Sequence, residues 1–237
     1  SLPSTRKGAS EPERPGCQTT AFTDVAVCLQ YLATKQGRVA LPAPLLAIEV
    51  LNMLTNLPST VVVREASLRD GLQSVATIVP IEDKLAWLRE AYAAGLREIE
   101  VGSFVPARLL PQMEGTADVV AEARTLPDLF VSVLVPNFRG AEMAMASGAH
   151  MMTVPLSASH AHSLANLRKA PDEVVAEVAR IRAARDASGS KTLIEGGVGT
   201  AFGCTIQGAV DRVEVVRLVG QLLDAGADRI SLADTVG

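Results

Sequence analysis

The sequence has no block of lysine and arginine: 22 basic residues stand against 26 acidic ones, for a formal charge of −4. Without a concentrated positive patch there is no electrostatic footprint for a phosphate backbone or an anionic membrane, so neither nucleic acid nor lipid is an expected partner. A long apolar run is missing too. The longest, 39-VALPAPLLAIEVL-51, is broken by prolines and falls short of the roughly 20 residues a spanning helix needs. No basic segment followed by an apolar one opens the chain, as it would in a secretory leader. Cysteine is scarce: Cys17, Cys28 and Cys204 are odd in number, far apart and without the spacing of a metal site. This argues against a disulfide framework and for a reducing compartment, with the cytoplasm expected, or the mitochondrial matrix in a eukaryote.

What is present is enough apolar material, 48% of 237 residues, to bury the core of one main domain. Residues 1–20 mix proline, glycine, serine and charge without apolar periodicity, as a flexible arm would. Residues 21–58 alternate short helix-like patches with Pro42, Pro44 and Pro58, which suggests an N-terminal helical extension. From 59 to 237 short runs of Val, Ile and Leu alternate with Ala- and charge-rich stretches of helical period. Strands are expected at 61–65, 97–102, 129–135, 151–156, 192–197 and 229–234. A helix is expected over 80–94, where Ile81, Leu85, Leu88 and Tyr92 share a face, and another over 171–187 with Val174, Val178 and Ile181. Pro80 and Pro171 suit helix starts, where the missing N–H costs nothing.

Three helix-to-strand junctions read alike: 93-AAGLREIEV-101, 146-ASGAHMMTV-154 and 224-DAGADRISL-232. Gly95, Gly148 and Gly226 occupy the place where a helix ends in a left-handed residue. On each strand that follows, alternation sets Glu100, Thr153 and Ser231 on one face and apolar residues on the other. Repeated βα units without a glycine-rich dinucleotide loop or hairpin signals point to an α/β fold of the (β/α)8 TIM-barrel type. About six βα units are present, plus the N-terminal extension. An unpaired sixth strand would be an exposed edge, so either two more units lie outside this chain or the extension or another subunit covers it. Homo-oligomerisation is therefore expected.

In such barrels chemistry sits at the carboxyl ends of the strands. The polar residues there are Arg69 and Asp70 after the first, Glu100 and Ser103 on the second, and Asn137 after the third. Residues 157–162 follow the fourth, 200–204 the fifth, and Asp234 and Thr235 the sixth. A carboxylate beside a guanidinium, with a second carboxylate across the barrel, suits a divalent cation and a developing enolate. An Arg-Asp pair at a strand end is equally a common salt bridge, and spacing alone does not choose between the two.

RDGLQ at 69–73, EVGSFV at 100–105, PQM at 111–113, VPN at 135–137 and SLADTVG at 231–237 together resemble the 3-hydroxy-3-methylglutaryl-CoA lyase family. That family belongs to the metal-dependent carbon–carbon lyases and Claisen-type synthases built on TIM barrels. The resemblance implies cleavage of a 3-hydroxy-3-methylglutaryl-CoA-like acyl-CoA, as in leucine catabolism, to acetyl-CoA and acetoacetate. It implies that Arg69 stabilises the enolate, Asp70 binds Mg²⁺ or Mn²⁺, Glu100 organises the site and Asp234 lies near the substrate hydroxyl. Gln73, Ser103, Asn137 and Thr235 become substrate-binding candidates, although Ser103 and Asn137 are as readily backbone caps.

The departures carry their own expectations. The family's metal-binding His-x-His pair and catalytic cysteine belong to segments beyond Gly237, which leaves Asp70 as the one expected ligand here. A lone carboxylate binds a divalent ion weakly, so weak metal binding and no turnover are expected of the 237 residues alone. His160-Ala161-His162 would put two rings on one side of an extended segment, as a metal site needs, but it follows the fourth strand, where the family has no ligands; a solvated loop or a substrate-contacting pair is expected. Cys204 resembles a family glycine-cysteine segment but is followed by Thr205 where the family has proline, and it reads as a structural thiol. His150 reads as surface structure, and Met143, Met145, Met151 and Met152 as core filling. Two other readings remain: a Claisen-type condensing synthase, against which Leu72 counts, and a degenerate, non-catalytic barrel.

Overall fold

The computed structural model describes residues 60–235. The expected arm over 1–20 and extension over 21–58 lie outside the described residues, as do Cys17 and Cys28. The strands are β1 (Arg64–Glu65), β2 (Glu98–Ser103), β3 (Phe130–Leu134), β4 (Met151–Ser157), β5 (Leu193–Gly199) and β6 (Arg229–Leu232). They form a single parallel sheet in chain order. The helices between them are α1 (Ile81–Ala93), α2 (Thr116–Ala123), α3 (Phe138–Ser147), α4 (His160–Leu167), α5 (Pro171–Ser188) and α6 (Arg212–Asp224). A single turn of π-helix, Ser67–Gly71, follows β1, and a 3₁₀ turn, Pro111–Met113, precedes α2.

Side chains show that the sheet is curled. In a flat sheet four inter-strand spacings would put β1 and β5 about 19 Å apart. Instead the guanidinium of Arg64 on β1 meets the carboxylate of Glu195 on β5 at 2.7 Å. The six strands therefore form an arc of a barrel, with one face turned inward.

Alternation along the strands sorts the two faces as anticipated. The outward residues Ile99, Val101, Val131, Val133, Met152, Val154 and Ile194 are buried, in one core with Leu88, Val120, Val178, Ile181, Leu218 and Leu222 of the helices. Most are β-branched or leucine, which suits strands covered by helices. Gly95, Gly148 and Gly226 have φ of +99°, +76° and +97°, so the repeated junction is a left-handed helix stop in all three places.

Four expectations need correction. The first strand is Arg64–Glu65, whereas Val61, Val62 and Val63 are 83%, 72% and 67% exposed. The register that pairs Arg64 with Glu98 would set Val61 against Gly95, inside the left-handed turn that ends α1, so no ladder can extend that far. The sixth strand stops at Leu232 rather than at residue 234. Residues 160–167 form α4 rather than an extended segment: Ser159 caps the helix by accepting from the His162 N–H, a common role for serine. In a helix, side chains two apart diverge, so His160 and His162 do not face the same way. Met143 lies on the outer side of α3 and is 43% exposed, whereas Met151 and Met152 are buried.

Candidate active site

β2 carries the site's central carboxylate. Its register with β3 shifts between Glu100 and Gly102, a bulge of the kind that re-aims a side chain at a strand end. The bulge packs close: a Cβ on Gly102 would come within 2.5 Å of the Thr116 hydroxyl. That hydroxyl donates to the carbonyls of Met113 and Ser103, tying α2 to the end of β2.

The π-helical turn delivers the partner groups. Leu68 and Leu72 are 2% and 5% exposed and anchor it from beneath, and the Glu65 carboxylate accepts from the Ser67 N–H at 2.6 Å. Between the two leucines the chain can only present Arg69 and Asp70 away from the core. Arg69 donates from Nε and Nη2 to Oε2 of Glu100 at 2.8 and 2.7 Å, and from Nη1 to Oδ1 of Asp70 at 2.6 Å. Three of the residues singled out from sequence are thus one cluster. Burial pushes the Glu100 carboxyl above its usual range; the charge and hydrogen bond of Arg69 and the charge of Arg64 oppose this, while the charge of Glu195 adds to it.

Below this cluster lies a second one that sequence reasoning missed in part. Arg64 donates from Nε to Glu98 and forks from both terminal nitrogens to Glu195, each at 2.7 Å. The Glu195 carboxylate also accepts from the hydroxyls of Thr153 and Ser231, at 3.1 and 3.2 Å. Burial by itself would raise the Glu195 pKa, but the Arg64 fork and these hydroxyls outweigh it and hold the carboxyl below its usual range. Thr153 and Ser231 were legible as inward-facing from the repeat. Glu195 had the same signal, a charged residue alternating with apolar ones inside a buried run.

The other candidates occupy the same end of the sheet with different engagements. The Ser103 side chain is buried and its Oγ accepts from the Val105 N–H at 3.2 Å. Asn137 caps α3, its Oδ1 accepting from the Gly140 N–H at 3.0 Å. Both therefore make backbone-capping bonds in this structure. Thr235 Oγ1 accepts from the Thr200 N–H at 2.7 Å, joining the ends of β5 and β6. Asp234, just past β6, and Gln73, just past the π-helical turn, are exposed.

Three further groups fill out this end of the sheet. His162 Nδ1 is 2.8 Å from the hydroxyl of Ser157, the last residue of β4. Cys204 is the hub of a small turn closed by reciprocal backbone bonds with Gly208, and its Sγ accepts from the N–H groups of Ile206 and Gln207 at 3.3 Å. Burial alone would raise this thiol; bonds from the Ser159 side chain and the surrounding N–H groups reverse the sign and lower it. Lys84, buried on α1, donates to the carbonyls of Gln112 and Glu114 at 2.7 and 2.8 Å and so pins the Pro111–Met113 turn. Burial lowers its pKa.

A divalent cation needs several oxygen or nitrogen ligands at once. Among the described residues no three His, Cys, Asp or Glu side chains come together as such a set. Asp70, its side chain 68% exposed and paired to Arg69, supplies one carboxylate of the several ligands such an ion needs.

The described residues thus form a parallel βα half-barrel with an Arg-carboxylate cluster at the carboxyl ends of its first two strands, the end where barrel enzymes carry their sites. Residues 60–237 match the HMGL-like family, and the chain belongs to it. Among curated relatives, the 3-hydroxy-3-isohexenylglutaryl-CoA/hydroxy-methylglutaryl-CoA lyase of Pseudomonas aeruginosa is 36% identical over 183 residues, covering 77% of this chain and 60% of that protein. A crystal structure of hydroxymethylglutaryl-CoA lyase from the same organism superposes with a TM-score of 0.71 at 34% identity, covering 77% of this chain and 60% of that one. An HMG-CoA lyase from Acinetobacter baumannii, in complex with coenzyme A and 3-methylmalate, gives 0.68 at 36%, covering 74% and 57%. The chain thus spans about 60% of the length of these relatives. Relatives are named as cytoplasmic and as mitochondrial enzymes. Among the described residues no helix is long and apolar enough to cross a membrane.

Proposed function

We propose that the protein acts as an acyl-CoA carbon–carbon lyase on a 3-hydroxy-3-methylglutaryl-CoA-like substrate, giving acetyl-CoA and acetoacetate. The observation that carries the reading is the clasp of Arg69 between Glu100 and Asp70 at the carboxyl end of a barrel sheet in an HMGL-like chain. The relatives' names are those of lyases, which favours cleavage over the condensing alternative.

In the reaction the tertiary alcohol loses its proton and the carbonyl of acetoacetate forms. The carbon–carbon bond breaks, and its electron pair moves onto the thioester oxygen as the enolate of acetyl-CoA. Protonation of the enolate carbon completes the balance. A guanidinium has five N–H donors, and Glu100 and Asp70 take three of them. Among the described residues those bonds leave two N–H groups for the thioester oxygen as its charge grows, in a site where fixed donors need no reorganisation. Glu100 holds Arg69 in orientation. Asp234 is assigned to the substrate hydroxyl, Asp70 to the family's cation, and Gln73, Ser103, Asn137 and Thr235 to the acyl-CoA. Assembly as a homo-oligomer and residence in the cytoplasm or mitochondrial matrix, within leucine catabolism, belong to the same proposal.

The test is direct. The full-length product of the gene, given 3-hydroxy-3-methylglutaryl-CoA and Mn²⁺, is expected to release acetoacetate and acetyl-CoA in equal amounts. Condensation of acetyl-CoA with a 2-keto acid, with no acetoacetate formed, would overturn the assignment in favour of a synthase.

A further inference from the structure

We infer that Arg64 is the positioning residue for the Arg69-Asp70 turn: its guanidinium ties the two-residue strand β1 to Glu195 on the far side of the half-barrel and thereby sets where the turn emerges. Among the described residues β1 has little else to hold it. Its ladder consists of two register pairs with β2, Arg64 with Glu98 and Glu65 with Ile99, and it stands at the end of the sheet. A strand this short, on an edge, has few backbone bonds to resist fraying.

The Arg64 side chain makes up the difference in a way that is hard to replace. It reaches one carboxylate on the neighbouring strand and both oxygens of another four strands away, so β1, β2 and β5 meet at one planar group. Planar two-point bonding constrains direction as well as distance, which a point charge on a flexible stem does not. Glu195 is itself held by Thr153 of β4 and Ser231 of β6, so the anchor is fixed to the rigid part of the sheet. Two residues beyond Glu65 the chain enters the turn, whose Arg69 and Asp70 N–H groups both bond the Ala66 carbonyl, at 3.1 and 2.7 Å. Any tilt of β1 is therefore carried directly to the Arg69 guanidinium.

The functional consequence rests on the proposed role of Arg69, but the positioning itself is measured without substrate. Arg64→Lys keeps the charge and loses the fork. Arg64→Met/Glu195→Leu removes both members of the fork together, a change that folded proteins commonly tolerate. Hydrogen exchange of the amides in 66–72 is expected to rise at least about tenfold in the double variant, and less in Arg64→Lys, with β3 and β4 protected as in the parent. Unchanged exchange in 66–72, or an equal rise throughout the sheet, overturns the inference, the latter by reducing Arg64 to general stability. In the full-length product of the gene, kcat on the hydroxymethylglutaryl thioester is expected to fall about tenfold or more in Arg64→Lys, with KM within about twofold. A parent that shows no lyase turnover sinks the proposed function and leaves the exchange result to judge the positioning.

Discussion

Two arginine–glutamate clusters lie one above the other inside the half-barrel, and they treat their carboxylates in opposite ways. In the lower one Glu195 receives a two-point fork from Arg64 and two hydroxyl bonds, and its pKa is lowered although it is buried. In the upper one Glu100 depends on Arg69, which it shares with Asp70, and its pKa is raised. Burial penalises both carboxylates: at Glu100 it outweighs Arg69 and the Glu195 charge adds to it, whereas at Glu195 the Arg64 fork and two hydroxyls outweigh it. The cluster with more donors is suited to holding strands together. The other keeps N–H capacity and a carboxyl that titrates above its ordinary range, which is the arrangement expected where a reaction takes place.

The contrast is broken most severely by removing the upper arginine. Arg69→Met is expected to lower acetoacetate production by about 10²–10³-fold or more, as losing a preformed oxyanion donor does. A variant within tenfold of parent activity would show that Arg69 is only a salt-bridge residue.

Removing the lower arginine should instead cost stability. Arg64→Met strands Glu195 without its counter-charge, leaves Glu98 only the longer contact with Arg229 at 3.9 Å, and is expected to lose about 3–5 kcal/mol in urea unfolding. Adding Glu195→Leu should restore a large part of that loss. If the single and double variants unfold alike, the fork is not what holds the lower cluster.

The pH dependence separates the two glutamates by sign. Glu195, lowered from an ordinary value of 4.5, contributes stability that is present above 4.5 and is lost as the pH falls toward its folded-state value. Glu100, raised from the same 4.5, contributes stability that is complete below 4.5 and is lost as the pH rises through its folded-state value. Urea midpoints of Glu195→Gln and Glu100→Gln relative to the parent, followed from acid to neutral pH, should therefore diverge in opposite directions. Parallel curves would refute the contrast.

The smallest effect sharpens the role of a single donor. Thr153→Val deletes one hydroxyl bond to Glu195 and is expected to cost about 1 kcal/mol and to move that carboxyl's titration upward. An unchanged titration would mean that Arg64 and Ser231 set it without Thr153.

Much of this arrangement was legible in the residues. The glycine-ended repeat announced the left-handed stops and the inward set Glu100, Thr153 and Ser231, because helix ends and strand alternation are local rules. RDGLQ and EVGSFV pointed to the upper cluster for the same reason: each lies within a single strand–turn unit. The short first strand was not legible, since its length is decided by where β2 can offer a partner. The helix at 160–167 was hidden by the attention His-x-His draws, although Ser159 stood ready as its cap. The capping bonds of Ser103 and Asn137 could not be read from the residues, because they depend on which backbone N–H groups the fold brings near.

The amino-acid sequence by itself determined the α/β alternation, the parallel half-barrel class and the Arg69–Glu100 end of the site, because periodicity, helix stops and motif spacing act over a few residues to one βα unit. Only the tertiary structure decided that Arg64 and Glu195, 131 residues apart, would share one ion pair. It also decided that two buried glutamates would shift in opposite directions. Both depend on the curl of the sheet, which brings distant strands within bonding range and fixes how many donors surround each carboxylate in a low-dielectric interior.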